Sequence, residues 1–360
     1  MSDRKKILIC PLDWGLGHAT RCIPIIRELI KQGADVYIGG SDRALALLRN
    51  EFPELNEITI QGVGFNFPRG AFFFPKLLFF TRKFVKNIFR ENQILEQLIE
   101  EHKFDVVISD NRYGLWNEKV LSIFITHQVA VKLPSWLKFL NPLLFRISKS
   151  YIDKFDKIWI PDVEGDNNLS GDLSHSYSIP EKTTFIGILS RFHKPIKKTE
   201  SYKYELCVIL SSVNPESFPF YERILYFLSV LKIKAVLFTG MTWLPAEKST
   251  INNLDIYNHL GTEAMQKVIE ESRIVLSRSG YSTIMDLATI GKNAILIPTR
   301  GQTEQEYLAK RLTDKGLIYY QTEKDFNLEM ALKECEKYKG LNIENNPELL
   351  INAVKEIIDM

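Results

Sequence analysis

The sequence predicts an α/β protein built from two doubly wound, Rossmann-like domains. Short apolar runs alternate with amphipathic helical segments through both halves of the chain, as in βαβ units with parallel sheets. The length of 360 residues suits about two domains. A polar, basic and proline-containing stretch at 193–204 separates the two series, and we predict the interdomain linker there.

The overall composition argues against several functional classes. A net charge of +2 is too small to indicate a nucleic-acid partner. The four cysteines lack the spacing of metal ligands. Lys5 and Lys6 precede an apolar run, but Pro11 breaks it far short of a signal sequence or a membrane span. We therefore expect no signal peptide and a cytoplasmic protein.

The N-terminus predicts a βαβ unit with a glycine-rich turn. Residues 7–10 form a buried strand, 13–18 a tight turn, and 20–31 an amphipathic helix closed by Gly33. The turn contains Gly15 and Gly17 but lacks the third glycine of the dinucleotide-binding G-x-G-x-x-G pattern. Its two ionisable residues are Asp13 and His18.

Two segments of the first half mix large apolar side chains with cations, at 65–90 and 133–149. Both are too short and too basic to span a bilayer, but they suit helices that lie in the membrane interface. In the alternative interpretation the phenylalanines form the domain core and the cations its solvated face. The membrane-facing candidates are Phe73, Phe74, Phe79 and Lys83.

Further along, polar residues follow predicted strands. Residues 104–110 and 123–126 form two strands, and His127 comes directly after the second. The carboxyl ends of such strands are where α/β crevices hold ligands. A strand at 205–210 opens the second half and leads to Ser211, and an edge strand at 256–261 ends at Gly261.

The most informative stretch is 273–307. A buried strand at 274–276 is followed by a small-residue turn and a helix that Ser282 and Thr283 can cap. Gly291 ends that helix, and a second strand at 294–297 ends at Pro298. The helix N-terminus offers free backbone N–H groups that favour an anion, most often a phosphate. Asp286, one turn into the helix, can accept hydrogen bonds from a sugar diol.

These residues resemble the donor-binding signature of the bacterial peptidoglycan lipid-intermediate N-acetylglucosaminyltransferase family, which are GT-B glycosyltransferases. The shared pattern is a Ser-Gly turn, an acidic residue on the helix, a glycine, a strand ending in proline, and a glutamine-containing polar loop. The Gly-Leu-Gly-His turn followed by Pro24 resembles the acceptor-facing loop of that family. The resemblance implies two α/β domains that face each other across a cleft.

Domain roles follow from this resemblance. It implies an acceptor-binding domain at 1–192, a linker at 193–204 and a nucleotide-sugar-binding domain at 205–345. A helix at 346–360 would cross back to the first domain. The implied reaction is inverting transfer of a sugar from a UDP-sugar to an acceptor hydroxyl. An N-acetylhexosamine donor and a lipid-linked acceptor at the cytoplasmic membrane face would fit the family and the apolar-basic segments.

The resemblance also implies individual roles. His18 is the first candidate for general base or acceptor-orienting residue, and Asp13 the second. Gly15, Gly17 and His127 are expected to contact the acceptor. The expected donor-binding residues are Arg191, Ser211, Gly261, Arg278, Ser279, Gly280, Tyr281, Ser282, Thr283, Asp286, Gln302, Glu304 and Gln305.

Several positions depart from the family pattern. Asp286 replaces a glutamate, Glu306 replaces the second glutamine of a Gln-Gln pair, and Ala309 stands where asparagine is usual. No Asp-x-Asp pair of the metal-dependent glycosyltransferase type is present, so we expect no metal and no cofactor. Two alternatives share the architecture: a UDP-sugar 2-epimerase, which would need carboxylates such as Asp13, Glu304 and Glu306, and a non-catalytic partner subunit of a membrane glycosyltransferase.

Overall fold

The computed structural model describes residues 4–62, 73–129, 139, 141–175, 180–193, 201–210, 218–341, 343 and 345–360, without the side chains of 73–81 and 144. The chain divides into two compact units. The first comprises residues 1–189 together with 345–360, and the second comprises 190–344.

The first unit is built on a seven-stranded parallel sheet with the strand order β3-β2-β1-β4-β5-β6-β7. Its strands are β1 (Lys6–Pro11), β2 (Asp35–Gly40), β3 (Asn56–Thr59), β4 (Val106–Asp110), β5 (Leu121–Ile125), β6 (Lys157–Ile160) and β7 (Thr183–Phe185). Strand β4 is buried along its whole length and β1 at every residue after Lys6, because helices cover both faces of such a sheet. The connecting helices are α1 (Leu16–Lys31), α2 (Asp42–Glu51), α3 (Phe73–His102), α4 (Asn141–Ile152) and α5 (Asp172–His175).

The second unit carries another seven-stranded sheet, with the order β10-β11-β9-β8-β12-β13-β14. Its strands are β8 (Tyr204–Ile209), β9 (Ala235–Phe238), β10 (Lys248–Ile251), β11 (Leu254–Tyr257), β12 (Ser272–Ser277), β13 (Ala294–Leu296) and β14 (Tyr319–Tyr320). Only the β10–β11 pair is antiparallel among the described strands. The helices are α6 (Phe218–Leu231), α7 (Thr262–Glu270), α8 (Tyr281–Ile290), α9 (Thr303–Asp314) and α10 (Leu328–Glu334).

The last helix, α11 (Glu348–Asp359), belongs to the first unit. It packs beside α1, where the Gln32 amide donates a hydrogen bond to the Ile351 carbonyl at 3.1 Å. Before it, the Asn345 side chain bonds both the N–H and the C=O of Ile188, each at 3.0 Å. The chain end is therefore fixed to the first unit by packing and by backbone hydrogen bonds.

The two doubly wound α/β sheets confirm the predicted fold class, and three local differences bear on the site. Helix α1 begins at Leu16 rather than at residue 20, so His18 lies on its first turn. Gly280, not Ser282 or Thr283, is the N-cap of α8, and as a glycine it has no side chain that could form a capping hydrogen bond. Strand β11 is not an edge strand, because the β10 hairpin covers it. Gly291 ends α8 as expected, in the left-handed region at φ 66°.

Within the described part of the chain, no helix is both long enough and apolar enough to cross a bilayer.

Candidate active site

In the first unit, His18 lies in a network of buried ionic groups at the carboxyl end of β4. Its ring Nδ1 is 3.1 Å from Oδ1 of Asp110, the last residue of that strand. Arg21, one turn further along α1, donates from Nε to the other Asp110 oxygen at 2.6 Å and from Nη2 to Oδ1. Asp110 is fully buried, whereas the His18 side chain retains 17% exposure. The imidazole can therefore reach a substrate while its carboxylate partner cannot.

The charges in this network set the protonation states. Burial raises the pKa of Asp110, but the positive charge of Arg21 and the interaction with His18 outweigh it and hold the pKa well below its ordinary value. Burial lowers the pKa of His18, and the charge of Arg21 lowers it further against the opposing effect of Asp110. At neutral pH the carboxylate is ionised and the imidazole is neutral, which is the state of a base.

Arg21 also connects His18 to the second predicted histidine. Its Nη1 lies 2.8 Å from Nδ1 of His127, which is buried just past the end of β5. The same guanidinium places Nη2 at 2.9 Å from His18 Nδ1. The structure thus brings His18 and His127 to one guanidinium, at the sheet edge where α/β proteins bind ligands.

Asp13, the second candidate base, belongs to a separate buried cluster. Its carboxylate accepts hydrogen bonds from the Ser41 hydroxyl at 2.8 Å and the Ser41 backbone N–H at 3.2 Å. Arg112 Nη1 contacts it at 3.5 Å, and the Arg112 Nη2 also bonds Glu91 at 2.8 Å. Burial raises the pKa of Asp13, although Arg112 and Ser41 oppose that effect. With these partners and 9% exposure, the Asp13 side chain joins elements of the framework.

The glycine turn leaves open space in front of α1. A Cβ built on Gly15 meets nothing within 4 Å among the described atoms. The Gly17 carbonyl accepts a hydrogen bond from the Thr20 hydroxyl at 3.0 Å, which fixes the first helical turn. Trp14 beside the turn is 40% exposed, and its ring lies 6.0 Å from that of Phe84 on α3. The described atoms thus leave the backbone at Gly15 uncrowded.

In the second unit, the N-terminus of α8 has the geometry of an anion site. A Cβ on Gly280, its N-cap, would meet no described atom within 4 Å. The Ser279 hydroxyl donates to the Gln305 carbonyl at 2.8 Å, which ties this turn to α9. Tyr281 and Ser282 are buried and Thr283 is half-buried. Helical N–H groups behind an uncrowded glycine suit a phosphate group.

Asp286 lies one turn into α8 and is held by the segment that opens the second unit. Its carboxylate accepts a hydrogen bond from the Ser190 hydroxyl at 2.6 Å and faces Arg191 Nε at 3.8 Å. Burial raises the pKa of Asp286, although Arg191 and Ser190 oppose the rise. Arg191 also directs Nη2 to the Met265 sulfur at 2.9 Å. Asp286, Ser190 and Arg191 therefore form one cluster.

Two other expected donor-binding residues, Arg278 and Gln305, already contact other residues of the second unit. Arg278 pairs with Glu323 at 2.6 Å, and its guanidinium lies 4.4 Å from the centre of the Phe220 ring. Gln305 accepts from the Thr299 N–H at 2.9 Å and donates to Gln302 at 2.5 Å. The Gln305 amide thus stabilises its own loop.

The remaining expected site residues lie at helix N-termini, on α3 or outside the described residues. Gly261 is the N-cap of α7, and a Cβ there would meet no atom of the described residues within 4 Å. Glu304 lies in the first turn of α9. Ser211 and the side chains of Phe73, Phe74 and Phe79 lie outside the described residues, whereas Lys83 is exposed on α3. No group of three or more His, Cys, Asp or Glu side chains suited to a metal ion occurs among the residues described above.

Several residues of these clusters were not identified from sequence. Arg21 and Asp110 in the first unit, and Ser190 in the second, had no recognised motif. A signal existed for Arg21, because a cation three residues after His18 on a mostly apolar helix falls on the histidine's side of the helix. Asp110 ends a strand, but its pairing with α1 is a contact between residues 92 apart in sequence.

The sequence of this chain is similar to those of known glycosyltransferases. Residues 231–360 match the model of the Glycosyltransferase family 28 C-terminal domain. An uncharacterized glycosyltransferase of Methanosarcina mazei is 25% identical over 354 residues, which cover 93% of this chain and 91% of that protein. A UDP-N-acetylglucosamine--N-acetylmuramyl-(pentapeptide) pyrophosphoryl-undecaprenol N-acetylglucosamine transferase of a Sulfurihydrogenibium species is 27% identical over 181 residues, covering 48% of this chain and 51% of that protein.

Solved structures show the same fold. A glycotransferase of kitacinnamycin superposes with a TM-score of 0.61 at 15% identity, covering 99% of this chain and 95% of that chain. MurG of Acinetobacter baumannii superposes with a TM-score of 0.51 at 14% identity, with 99% and 95% coverage. The chain thus has the GT-B fold, and it resembles the lipid-intermediate N-acetylglucosaminyltransferases, as the sequence predicted.

Proposed function

We propose that this chain transfers a sugar of the N-acetylhexosamine class from its UDP-sugar to the hydroxyl of a lipid-linked acceptor, with inversion, at the cytoplasmic face of a membrane. The observation that carries the proposal is the His18–Asp110 pair, a largely buried but still accessible imidazole held by a buried carboxylate at a sheet edge. The first unit would bind the acceptor, and the second unit would bind the donor.

The His18–Asp110 pair supplies the base. An Nδ1–H donated to Asp110 leaves Nε2 with a free lone pair, and Asp110 stabilises the imidazolium that forms. As the acceptor oxygen bonds to C1 of the donor, its proton passes to His18 Nε2. The C1–O bond to the diphosphate breaks at the same time, and UDP leaves with that electron pair. Attack from the face opposite to the leaving group gives inversion.

The second unit accounts for donor binding. The open N-terminus of α8 would hold the diphosphate through backbone N–H groups and the helix dipole, with Arg191 nearby. Asp286 would bind the ribose diol in place of the Ser190 hydroxyl that it now accepts from. The match of residues 231–360 to a glycosyltransferase C-terminal domain supports this assignment. The Sulfurihydrogenibium relative, by its name, uses UDP-N-acetylglucosamine, which supports the nucleotide and sugar class.

Exposed apolar side chains support a lipid-linked acceptor. Phe89 on α3 is 62% exposed, and Leu143 and Ile147, one turn apart on α4, are 56% and 47% exposed. Tyr113 packs between the two helices, with its ring 6.0 Å from Phe84 and 6.2 Å from Tyr151. Exposed cations lie on the same helices: Arg82, Lys83, Lys86, Arg90 and Arg146.

Such a surface fits a membrane: the apolar side chains would insert shallowly, and the cations would contact anionic headgroups around them. Each cation near the headgroups contributes on the order of 1 kcal/mol, so binding should be reversible and sensitive to salt. The pyrophosphoryl-undecaprenol acceptor named for the Sulfurihydrogenibium relative is consistent with this surface.

The epimerase alternative has less support. Two of its three candidate carboxylates already have structural partners: Asp13 bonds Ser41, and Glu306 accepts the Gly301 N–H at 2.9 Å. A 2-epimerase needs carboxylates free to remove and return a proton at the sugar ring.

Calorimetry with a panel of nucleotide sugars, combined with turnover of His18→Ala, tests the proposal. We expect UDP-sugars to bind, and we expect His18→Ala to keep donor affinity while losing about 10²–10⁴ in rate. Equal turnover of the variant would leave His18 with a structural role only, and binding of no UDP-sugar would refute the donor assignment.

Vesicle co-sedimentation tests the membrane part. The protein should pellet with anionic vesicles at low salt and less at high salt. Lys83→Glu combined with Leu143→Ser and Ile147→Ser should weaken pelleting, whereas Lys324→Glu on the second unit should not, because Lys324 lies outside the proposed surface. No pelleting at any salt concentration would move the acceptor towards a soluble molecule.

A further inference from the structure

The β4 loop, residues 110–114, connects the site to its surroundings. Asp110 binds His18 and Arg21, and Arg112 binds Asp13 and Glu91. The loop is also held to strand β4, because the Ser109 hydroxyl donates to the Arg112 carbonyl at 2.6 Å.

The last two residues of the loop pack against neighbouring elements. The Tyr113 ring lies 4.9 Å from Phe124. Gly114 packs so closely on α3 that an added Cβ would lie 2.4 Å from the Ile88 carbonyl. Asp110 is therefore committed to the catalytic pair, and Arg112, Tyr113 and Gly114 are committed to framework contacts.

Asn111 differs from its neighbours. Its backbone has φ 61°, the left-handed region, and its N–H donates to the Ile125 carbonyl at 3.1 Å. Its side-chain oxygen is buried and has no hydrogen-bond partner within the described part of the chain. Buried polar atoms in folded proteins are nearly always paired with protein, water or ligand. The residue next to the buried carboxylate of the His18–Asp110 pair thus has an unsatisfied side-chain amide oxygen.

We propose that Asn111 is an acceptor-binding residue, whose side-chain amide hydrogen-bonds a polar group of the acceptor next to the hydroxyl that reacts. This inference rests on the function proposed above and adds a specificity-determining residue to it. An amide both donates and accepts, so it suits the hydroxyl and acetamido groups of a sugar. Because the loop is rigidly held on both sides of Asn111, the amide is already oriented before the acceptor arrives.

The backbone conformation allows a clean test. Glycine adopts the left-handed region without strain, so Asn111→Gly removes the amide and keeps the loop. Asn252, also left-handed at φ 53° and exposed in the β10–β11 turn of the second unit, provides the matched control Asn252→Gly. The assay measures transfer from UDP-N-acetylglucosamine to a short-chain lipid diphosphate N-acetylhexosamine, donor affinity by calorimetry, and the melting temperature.

For Asn111→Gly we expect the acceptor KM to rise roughly 5- to 100-fold, the effect of leaving a polar ligand group unpaired. Donor affinity and melting temperature should match the wild type. The control Asn252→Gly should leave the acceptor KM, the donor affinity and the melting temperature unchanged. Asn111→Asp keeps the shape of the side chain but replaces the NH₂ group, a hydrogen-bond donor, by a charged carboxylate oxygen. This variant should also raise the acceptor KM.

The outcomes separate this inference from the proposed function. A wild-type protein that transfers the sugar while Asn111→Gly shows an unchanged acceptor KM would refute the assignment of Asn111 alone. A parallel loss of donor affinity or of stability in Asn111→Gly would also refute it, since the role would then be structural. A wild-type protein that binds no UDP-sugar would refute the proposed function, and the assignment of Asn111 would fall with it.

Discussion

Replacing Asp110 by asparagine is the most informative perturbation of the first unit. The carboxylate is fully buried, accepts from Arg21 Nε at 2.6 Å and lies 3.1 Å from His18 Nδ1. Asparagine keeps the shape but removes the charge, so the buried guanidinium of Arg21 loses its counter-ion. Breaking a buried pair in this way costs about 3–5 kcal/mol of folding free energy.

The same change should also slow the reaction. Without the carboxylate, the imidazole loses its orienting partner and the imidazolium loses its stabilising charge, which we expect to cost about 10²–10⁴ in turnover. Urea unfolding measures the first effect and steady-state kinetics the second. Glu57→Gln is the matched control: its carboxylate pairs with Arg49 at 2.7 Å on the exposed surface, and its loss should change stability by only about 0.5 kcal/mol.

A double-mutant cycle separates chemistry from folding. If Asp110 acts through His18, Asp110→Asn in a His18→Ala background should slow turnover by less than about threefold, because groups that act as a unit are not additive. Additive losses in rate would refute the coupling, and a fully active Asp110→Asn would refute the role of the pair.

Four further outcomes are expected. Asp286→Ala should weaken UDP-sugar binding by roughly 1.5–3 kcal/mol, the scale of a charge-assisted hydrogen bond, and unchanged affinity in calorimetry would remove Asp286 from the site. The rate kcat/KM should fall on the acid side with a midpoint below 6.5, because the pKa of His18 is lowered from that ordinary value and only the neutral imidazole accepts a proton; a midpoint above 6.5 would contradict this. Activity should survive EDTA, since helix N–H groups and Arg191 can stabilise the leaving diphosphate, and loss restored by Mg²⁺ would contradict that. Arg112→Met should destabilise the fold by about 3–5 kcal/mol by leaving Asp13 and Glu91 buried without their cation, and an unchanged urea midpoint would contradict that.

Much of the fold was predictable because its signals are local. The buried strands on either side of the glycine turn and of α8 follow from short apolar runs, and their parallel pairing follows from the intervening helices. The β10 hairpin was missed because its four residues are all exposed and carry no apolar alternation. The start of α1 at Leu16 was missed because the segment 13–18 contains two glycines, Gly15 and Gly17, which favoured the prediction of a turn.

The site was predictable only in part, for a physical reason. His18 stands in a recognisable motif, but the groups that set its protonation state reach it from elsewhere in the fold. Asp110 is 92 residues away in sequence, and a strand-ending aspartate has no feature that assigns it to a helix on another segment. Asp13 has the same chemistry as Asp110, yet the fold pairs it with Ser41 and Arg112. Spacing along the chain cannot distinguish these two carboxylates.

Product analysis tests the central claim most directly. The purified protein would be incubated with UDP-N-acetylglucosamine, with and without a short-chain lipid diphosphate N-acetylhexosamine, and the products identified by mass spectrometry and proton NMR. We predict UDP and a glycosylated acceptor with inverted anomeric configuration, formed by the wild type and nearly absent with His18→Ala. A UDP-sugar epimerised at C2 with no acceptor present, or a donor left unconsumed in both reactions, would contradict the proposed glycosyl transfer.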